Sequence, residues 1–414
     1  VYVFLMLLTT LVDYTAGRII DRFDSSKKIR TLALISSLII NLGILFTFKY
    51  SSFFAGIFGI ELKKLPLPVG ISFYTFQSIS YTIDMYMRKI KVQKNFINYA
   101  AYVTLFPQIV AGPIVRYEDV QNEINSRKVN IYLLGEGAGI FIKGLAKKVL
   151  LANNIGLLWT EIKGMDYSEI SVLTAWLGIL AFTFQIYYDF SGYSDMAVGL
   201  GKMLGFNFPE NFRHPYISRS ISEFWRRWHI TLGSWFRSYV YIPLGGNRKG
   251  KYKTLRNLLI VWGLTGLWHG ASWNFILWGL YFGVLLMIEK LFMLKVLKKA
   301  PAIISHIYSI IIILFGWVLF YFENLNEMGI FLARMFGSDG FMMSGDISVK
   351  IISYIPLLIV SAITSTPLIS KLYHKIKSKP ILYVIDNAGC VLALLLCTAA
   401  LVSSDYNPFL YYKF

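Results

Sequence analysis

Long apolar runs alternate with short basic stretches along this chain, and the runs are too long and too uniformly apolar for the alternating strands of a barrel. The pattern predicts helical spans at about 1–16, 31–48, 69–87, 133–159, 171–190, 303–322, 351–369 and 381–402. The chain opens on Val1 inside an apolar run, so the first span is expected to be cut short, with an N-terminal helix missing. Residues 99–112 form an apolar stretch too short to cross, ending in Gly112-Pro113, and are expected to be re-entrant or interfacial. Arg18, Arg22, Lys27, Lys28 and Arg30 follow the first span, and Arg88, Lys89, Lys91 and Lys94 the third. With Lys371, Lys375, Lys377 and Lys379 they mark cytoplasmic loops, while Glu323, Glu327, Asp339 and Asp346 mark the opposite face. Lys143, Lys147 and Lys148 share one side of their helix and are expected to snorkel to the cytoplasmic interface.

Two regions break this rhythm. Residues 191–256 are rich in Arg, Trp, Gly and Tyr and read as short interfacial helices and loops. Residues 257–289 are apolar again but flanked by basic loops on both sides. Some 33 residues must therefore enter the membrane and return, where two full spans need about 40. A short or bent hairpin results, with Trp268-His269-Gly270 near its apex. An imidazole there is not required for packing, and an ionisable residue inside a span is a functional hypothesis by default. Histidine also titrates close enough to neutrality to serve as a general base.

Composition sharpens the class. Hydrophobic residues make up 56% of the 414 positions and charged residues 15%, against about 25% charged in soluble domains. A water-soluble monomer, a disordered chain, collagen and a disulfide-stapled secreted domain are thereby excluded, leaving an all-α polytopic membrane protein read as one integral-membrane domain, 1–414. The net charge of +18 is positive-inside bias rather than a nucleic-acid footprint, because the basic residues lie between the spans. Cys390 and Cys397 stand seven residues apart in one apolar run, about 10 Å along a helix, and read as packing residues rather than a disulfide. No Cys/His spacing points to a metal.

Among five histidines, His214, His306 and His374 read as solvated or capping residues. His229 lies in the stretch Ser222–Arg237. On an ideal helix Phe224, Trp225, Trp228, Leu232, Trp235 and Phe236 would share one arc, with Arg226, Arg227, Ser234 and Arg237 on the rest. His229 then sits at the margin of the aromatic face, as a cavity-wall residue or as a headgroup contact; both readings stay open. Tyr188–Asp195 sets two carboxylates and two serine hydroxyls at the end of a span. It reads as a polar helix break lining a water-filled cavity, with Asp195 as a substrate-binding candidate.

Together these stretches resemble the membrane-bound O-acyltransferase family, in its bacterial alginate-O-acetylation branch. The resemblance rests on Leu67-Pro-Val-Gly-Ile-Ser-Phe-Tyr-Thr-Phe76, Phe106-Pro-Gln-Ile-Val-Ala-Gly-Pro113, Tyr188–Gly205, Ser222–Asn247 with Tyr241-Ile-Pro-Leu-Gly-Gly-Asn247, Gly266-Leu-Trp-His-Gly-Ala271 and Tyr406-Asn-Pro-Phe409. It implies a ring of tilted helices around a thinned centre, with re-entrant and interfacial helices and a tunnel joining a cytoplasmic donor site to an acceptor site on the far face. The family's active-site histidine falls on His269 and its second histidine on His229.

The resemblance further implies an O-acyltransferase of the bacterial plasma membrane. Its donor would be a thioester, most simply acetyl-CoA, with no bound cofactor, and His269 would act as general base. Arg226, Arg227 and Arg237 would hold donor phosphates, and Trp268 and Asn274 would shape the tunnel or donate to the oxyanion. The expected partners are membrane lipids, an extracytoplasmic SGNH-hydrolase-like acetyltransferase and a cell-envelope polysaccharide. The alternatives are D-alanyl transfer to teichoic acid from a carrier-protein thioester, and a transporter or flippase. The transporter reading would require charged residues paired within several spans, which the mostly uncharged central runs do not suggest.

Overall fold

The computed structural model describes residues 2–63, 65–110, 112–167, 170–338, 347–376 and 380–403. Every regular element among them is helical. Among the described residues, five helices are long and apolar enough to cross a membrane: Tyr2–Arg22, Lys27–Ile57, Trp273–Lys299, Ala302–Tyr321 and Val384–Val402. They match the expected spans at 1–16, 31–48, 303–322 and 381–402 and the second limb of the hairpin. Tyr406–Phe409, Asp339, Asp346, Lys377 and Lys379 lie outside the described residues.

Three expectations change. The third expected span is the shorter helix Ile71–Tyr86, in which nearly every side chain is buried, including Ser72, Thr75, Gln77, Ser78, Ser80, Thr82 and Asp84. A helix enclosed by protein has no lipid-facing stripe, so its pattern passes for a span. The fifth runs on as one helix of 32 residues, Val172–Met203, through a stretch expected to be irregular. Lys371 and Lys375 lie on a helix, Leu368–Ile376, not in a loop.

The chain divides into two compact units woven from separate parts of the sequence. The first comprises 1–138, 197–210 and 234–243, and the second 139–196, 211–233 and 244–414. In the first unit Tyr2–Arg22, Lys27–Leu45 and Ile71–Tyr86 converge on Asp13, which is fully buried. Its carboxylate accepts from Ser37, from Asn41 Nδ2 at 2.9 Å and from Thr82 Oγ1 at 3.1 Å. A knot of tyrosines surrounds it: Tyr81 stands 4.5 Å from Tyr99 and 5.1 Å from Tyr117 between ring centres. Asp84 on the same helix accepts from Tyr239 at 2.6 Å.

The second unit is built on indoles and phenyl rings. Trp225 packs on Trp262 at 4.6 Å, Trp228 on Trp317 at 4.8 Å and Trp159 on Tyr321 at 4.7 Å. Such pairs contribute about 0.5–1.5 kcal/mol each beyond the area they bury. Within this unit Gly144 and Gly192 bring two helices into backbone contact: a Cβ on Gly144 would lie 2.6 Å from the Gly192 carbonyl.

Candidate active site

The predicted hairpin is present. Helix Lys251–His269 ends at the histidine, and Trp273–Ile288 begins three residues later. Two glycines set how closely the limbs pack. A Cβ on Gly266 would meet the Phe275 carbonyl at 2.3 Å, and one on Gly279 the Trp262 carbonyl at 2.4 Å. His269 is thus fixed at a helix C-terminus. It is 7% exposed and caged by rings, with Trp278 at 4.8 Å, Trp268 at 4.9 Å and Phe320 at 5.3 Å.

Asn274 is fully buried in the first turn of the second limb. Its Nδ2 donates to the Phe320 carbonyl at 3.1 Å, and its Oδ1 accepts from Ser272. The amide therefore ties the hairpin turn to helix Ala302–Tyr321. Trp268, 3% exposed, stands against both histidines, 6.0 Å from the ring of His229 as well as 4.9 Å from that of His269.

The single amphipathic helix expected over Ser222–Arg237 is not formed. Helix Ile221–Phe224 stops, a turn follows, and Ile230–Phe236 starts afresh. The break lies at His229, whose φ of +45° is in the left-handed region. That conformation costs a non-glycine residue of order 1–3 kcal/mol and persists only where its surroundings enforce it. Phe224, Trp228, Leu232, Trp235 and Phe236 are buried in protein, so they are core residues and not a lipid-facing stripe.

His229 is 2% exposed, between Phe190 at 4.9 Å and Phe212 at 6.3 Å. Burial pushes its pKa down to about 3, so it is neutral at physiological pH. Its Nδ1 lies 3.1 Å from Asn211 Oδ1, and its Nε2 is buried with no hydrogen-bond partner among the described residues.

The remaining candidates scatter by role. Arg226 is exposed on the turn before His229. Arg227 is engaged, to Glu223 at 2.9 Å and to the Arg213 carbonyl at 3.2 Å. Arg237 is exposed and belongs to the first unit. Asp195 does not sit at a helix break. It lies within Val172–Met203 and pairs with Lys147 at 2.5 Å, nearly two turns from buried Asp189, which pairs with Lys148. Lys143 pairs with Asp386 at 3.1 Å. The three lysines expected to snorkel are thus ion-paired, and paired charges within the helices do occur. His214 and His306 each place Nδ1 against a backbone carbonyl, of Ser365 at 3.1 Å and Ser218 at 3.2 Å.

Two contributors escape a sequence reading. Buried Glu289 accepts the backbone N–H groups of Ile221 and Ser222 at 2.6 and 2.8 Å, holding the segment that leads to His229. A lone carboxylate closing an apolar run was a visible signal for it. Asn211, the partner of His229, sits in a loop without periodicity and gives none.

Residues 87–331, which contain every one of these candidates, match the profile of MBOAT, the membrane-bound O-acyltransferase family. The chain is 41% identical over 335 residues to the "Probable alginate O-acetylase AlgI" of Azotobacter vinelandii, covering 78% of this chain and 66% of that protein. It is 36% identical over 348 residues to the "Peptidoglycan O-acetyltransferase" of Helicobacter pylori, covering 75% and 66%. Against the "Teichoic acid D-alanyltransferase" of Streptococcus thermophilus the identity is 30% over 247 residues, covering 55% and 58%. The chain spans 56–66% of the length of the alginate O-acetylases it matches. With a family profile matched across most of its length and two caged histidines inside the matched region, this chain belongs to the membrane-bound O-acyltransferase family.

Proposed function

We propose that this protein is an O-acyltransferase that takes an acetyl group from a thioester, acetyl-CoA, on the cytoplasmic side and delivers it for O-acetylation of a cell-envelope polysaccharide. The observation that carries this reading is His269, a buried imidazole fixed at the end of a helix in a cage of aromatic rings. His269 takes the proton from an acceptor hydroxyl. The oxygen then forms its bond to the thioester carbonyl carbon, the C–S bond breaks, and the proton passes to the departing sulfur. The aromatic walls keep water from competing for the acyl group.

Basic residues on both flanks of the hairpin support donor approach from the cytoplasm, with exposed Arg226 meeting the donor phosphates. The acetyl group then passes to an extracytoplasmic hydrolase-like transferase that modifies the polymer. Acetyl transfer is favoured over D-alanyl transfer because identity is higher, and coverage longer, to the O-acetylating relatives.

The test is purified protein in liposomes with isotope-labelled acetyl-CoA, followed by mass spectrometry of released CoA and of an added acceptor. Turnover that is lost in His269→Gln supports the reading. Inertness towards acetyl-CoA combined with turnover of a D-alanyl carrier-protein thioester replaces it.

A further inference from the structure

Asn211 is 2% exposed, and its side-chain oxygen gathers three contacts: His229 Nδ1 at 3.1 Å, Thr231 Oγ1 at 2.9 Å and the Thr231 backbone nitrogen at 3.3 Å. A backbone N–H can only donate. The atom facing it must therefore be Oδ1 and not Nδ2, which settles the orientation of the amide. An oxygen can only accept, so the His229 Nδ1 that faces the same atom carries its hydrogen. The ring's other nitrogen is then a bare lone pair, buried and without a partner among the described residues.

The backbone reinforces this arrangement. Ile230 N–H donates to the Asn211 carbonyl at 2.9 Å and Arg213 N–H to the Arg227 carbonyl at 2.9 Å, clamping the left-handed turn from both sides. The clamp thus holds the Nε2 lone pair in a fixed, buried place that none of the described residues reaches with a donor. A donor that arrives with the substrate would complete it.

We propose that Asn211 is a positioning residue, which locks His229 in its Nδ1–H tautomer and so presents the Nε2 lone pair to an O–H or N–H of the bound substrate. The kinetic part of this inference rests on the acyl-transfer reading; the tautomer part does not. Ring ¹⁵N NMR of histidine-labelled protein, with the His229 signals identified by their loss in His229→Gln, tests the tautomer. The expected result is Nδ1 protonated and Nε2 bare at neutral pH, retained in Asn211→Asp and lost in Asn211→Leu. In acetyl transfer, folded Asn211→Leu should lower kcat about 10²-fold, with a lowered melting temperature because Thr231 also loses its acceptor. Asn211→Asp should keep turnover within about tenfold and move the acidic limb of the pH profile upward, because a carboxylate beside the ring raises its pKa. Protonated Nε2 in the wild-type protein overturns the proposal. So does a folded Asn211→Leu that loses the tautomer yet keeps full kcat. Should Asn211→Leu fail to fold, the pH limb of Asn211→Asp decides: an unmoved limb overturns it. If no acetyl transfer is found at all, the acyl-transfer reading fails while the NMR result still decides the tautomer.

Discussion

The two units hold their central titratable groups differently. In the first, the Asp13 carboxylate is surrounded by donors from three side chains on two neighbouring helices. In the second, His229 has one ring nitrogen bonded and the other left over, and it lies with His269 among rings that offer little hydrogen bonding. Asp13 is held by side chains from two helices, whereas His229 is held on one side only, by a loop asparagine. The contrast sets a carboxylate built into a helix bundle against an imidazole placed by a turn.

The comparison breaks most directly at His269. His269→Gln should cut acetyl transfer by ~10²–10⁴-fold with little change in melting temperature, since it removes a base rather than a brace; equal turnover by variant and wild type would remove the reaction from the second unit. The framework side is tested by Asp13→Leu. It removes the acceptor that Ser37, Asn41 and Thr82 share and should destabilise the protein by about 3–5 kcal/mol, seen as a collapse of detergent-solubilised yield, while protein that does fold keeps its kcat. Gly279→Ala probes the hairpin: with its Cβ 2.4 Å from the Trp262 carbonyl the limbs must part. The expected cost is about 1–3 kcal/mol, with a fall in kcat because His269 moves.

The smallest effect is the pH dependence of His229. Its folded pKa, about 3, lies below the ordinary 6.5, so the unfolded chain binds the proton more readily. Stability should be complete above pH 6.5 and decline as the pH falls from there towards 3. His229→Gln should flatten that part of the melting-temperature profile, and an unchanged slope would mean that the ring is not buried neutral.

Much of the second unit's hairpin was legible because it is local. The length of residues 257–289 between basic flanks dictates a hairpin, and Trp268-His269-Gly270 marks its turn. The stretch around His229 was misread because a helical wheel assumes uniform φ, and one left-handed residue ends that periodicity. The lysines at 143, 147 and 148 misled for a different reason. Their acids lie 41 to 243 residues away, so nothing in the local pattern distinguishes a lysine reaching for water from one reaching for Asp189 or Asp386. The framework around Asp13 was hidden likewise, since Ser37, Asn41 and Thr82 gain meaning only once three helices meet.

Helix Trp273–Ile288 starts just after His269 and hands over to Glu289, whose carboxylate grips the amides of Ile221 and Ser222 ahead of His229. One 16-residue rod therefore gauges the placement of both histidines. Its outward residues Leu277, Leu280 and Val284 are free to drift in sequence, being about 40% exposed. Its length is not: one inserted residue would swing Glu289 by about 100° and advance it about 1.5 Å, releasing both amides. Substitution and insertion should thus leave very different scars here, with many changes of letter tolerated along the rod and almost none of count.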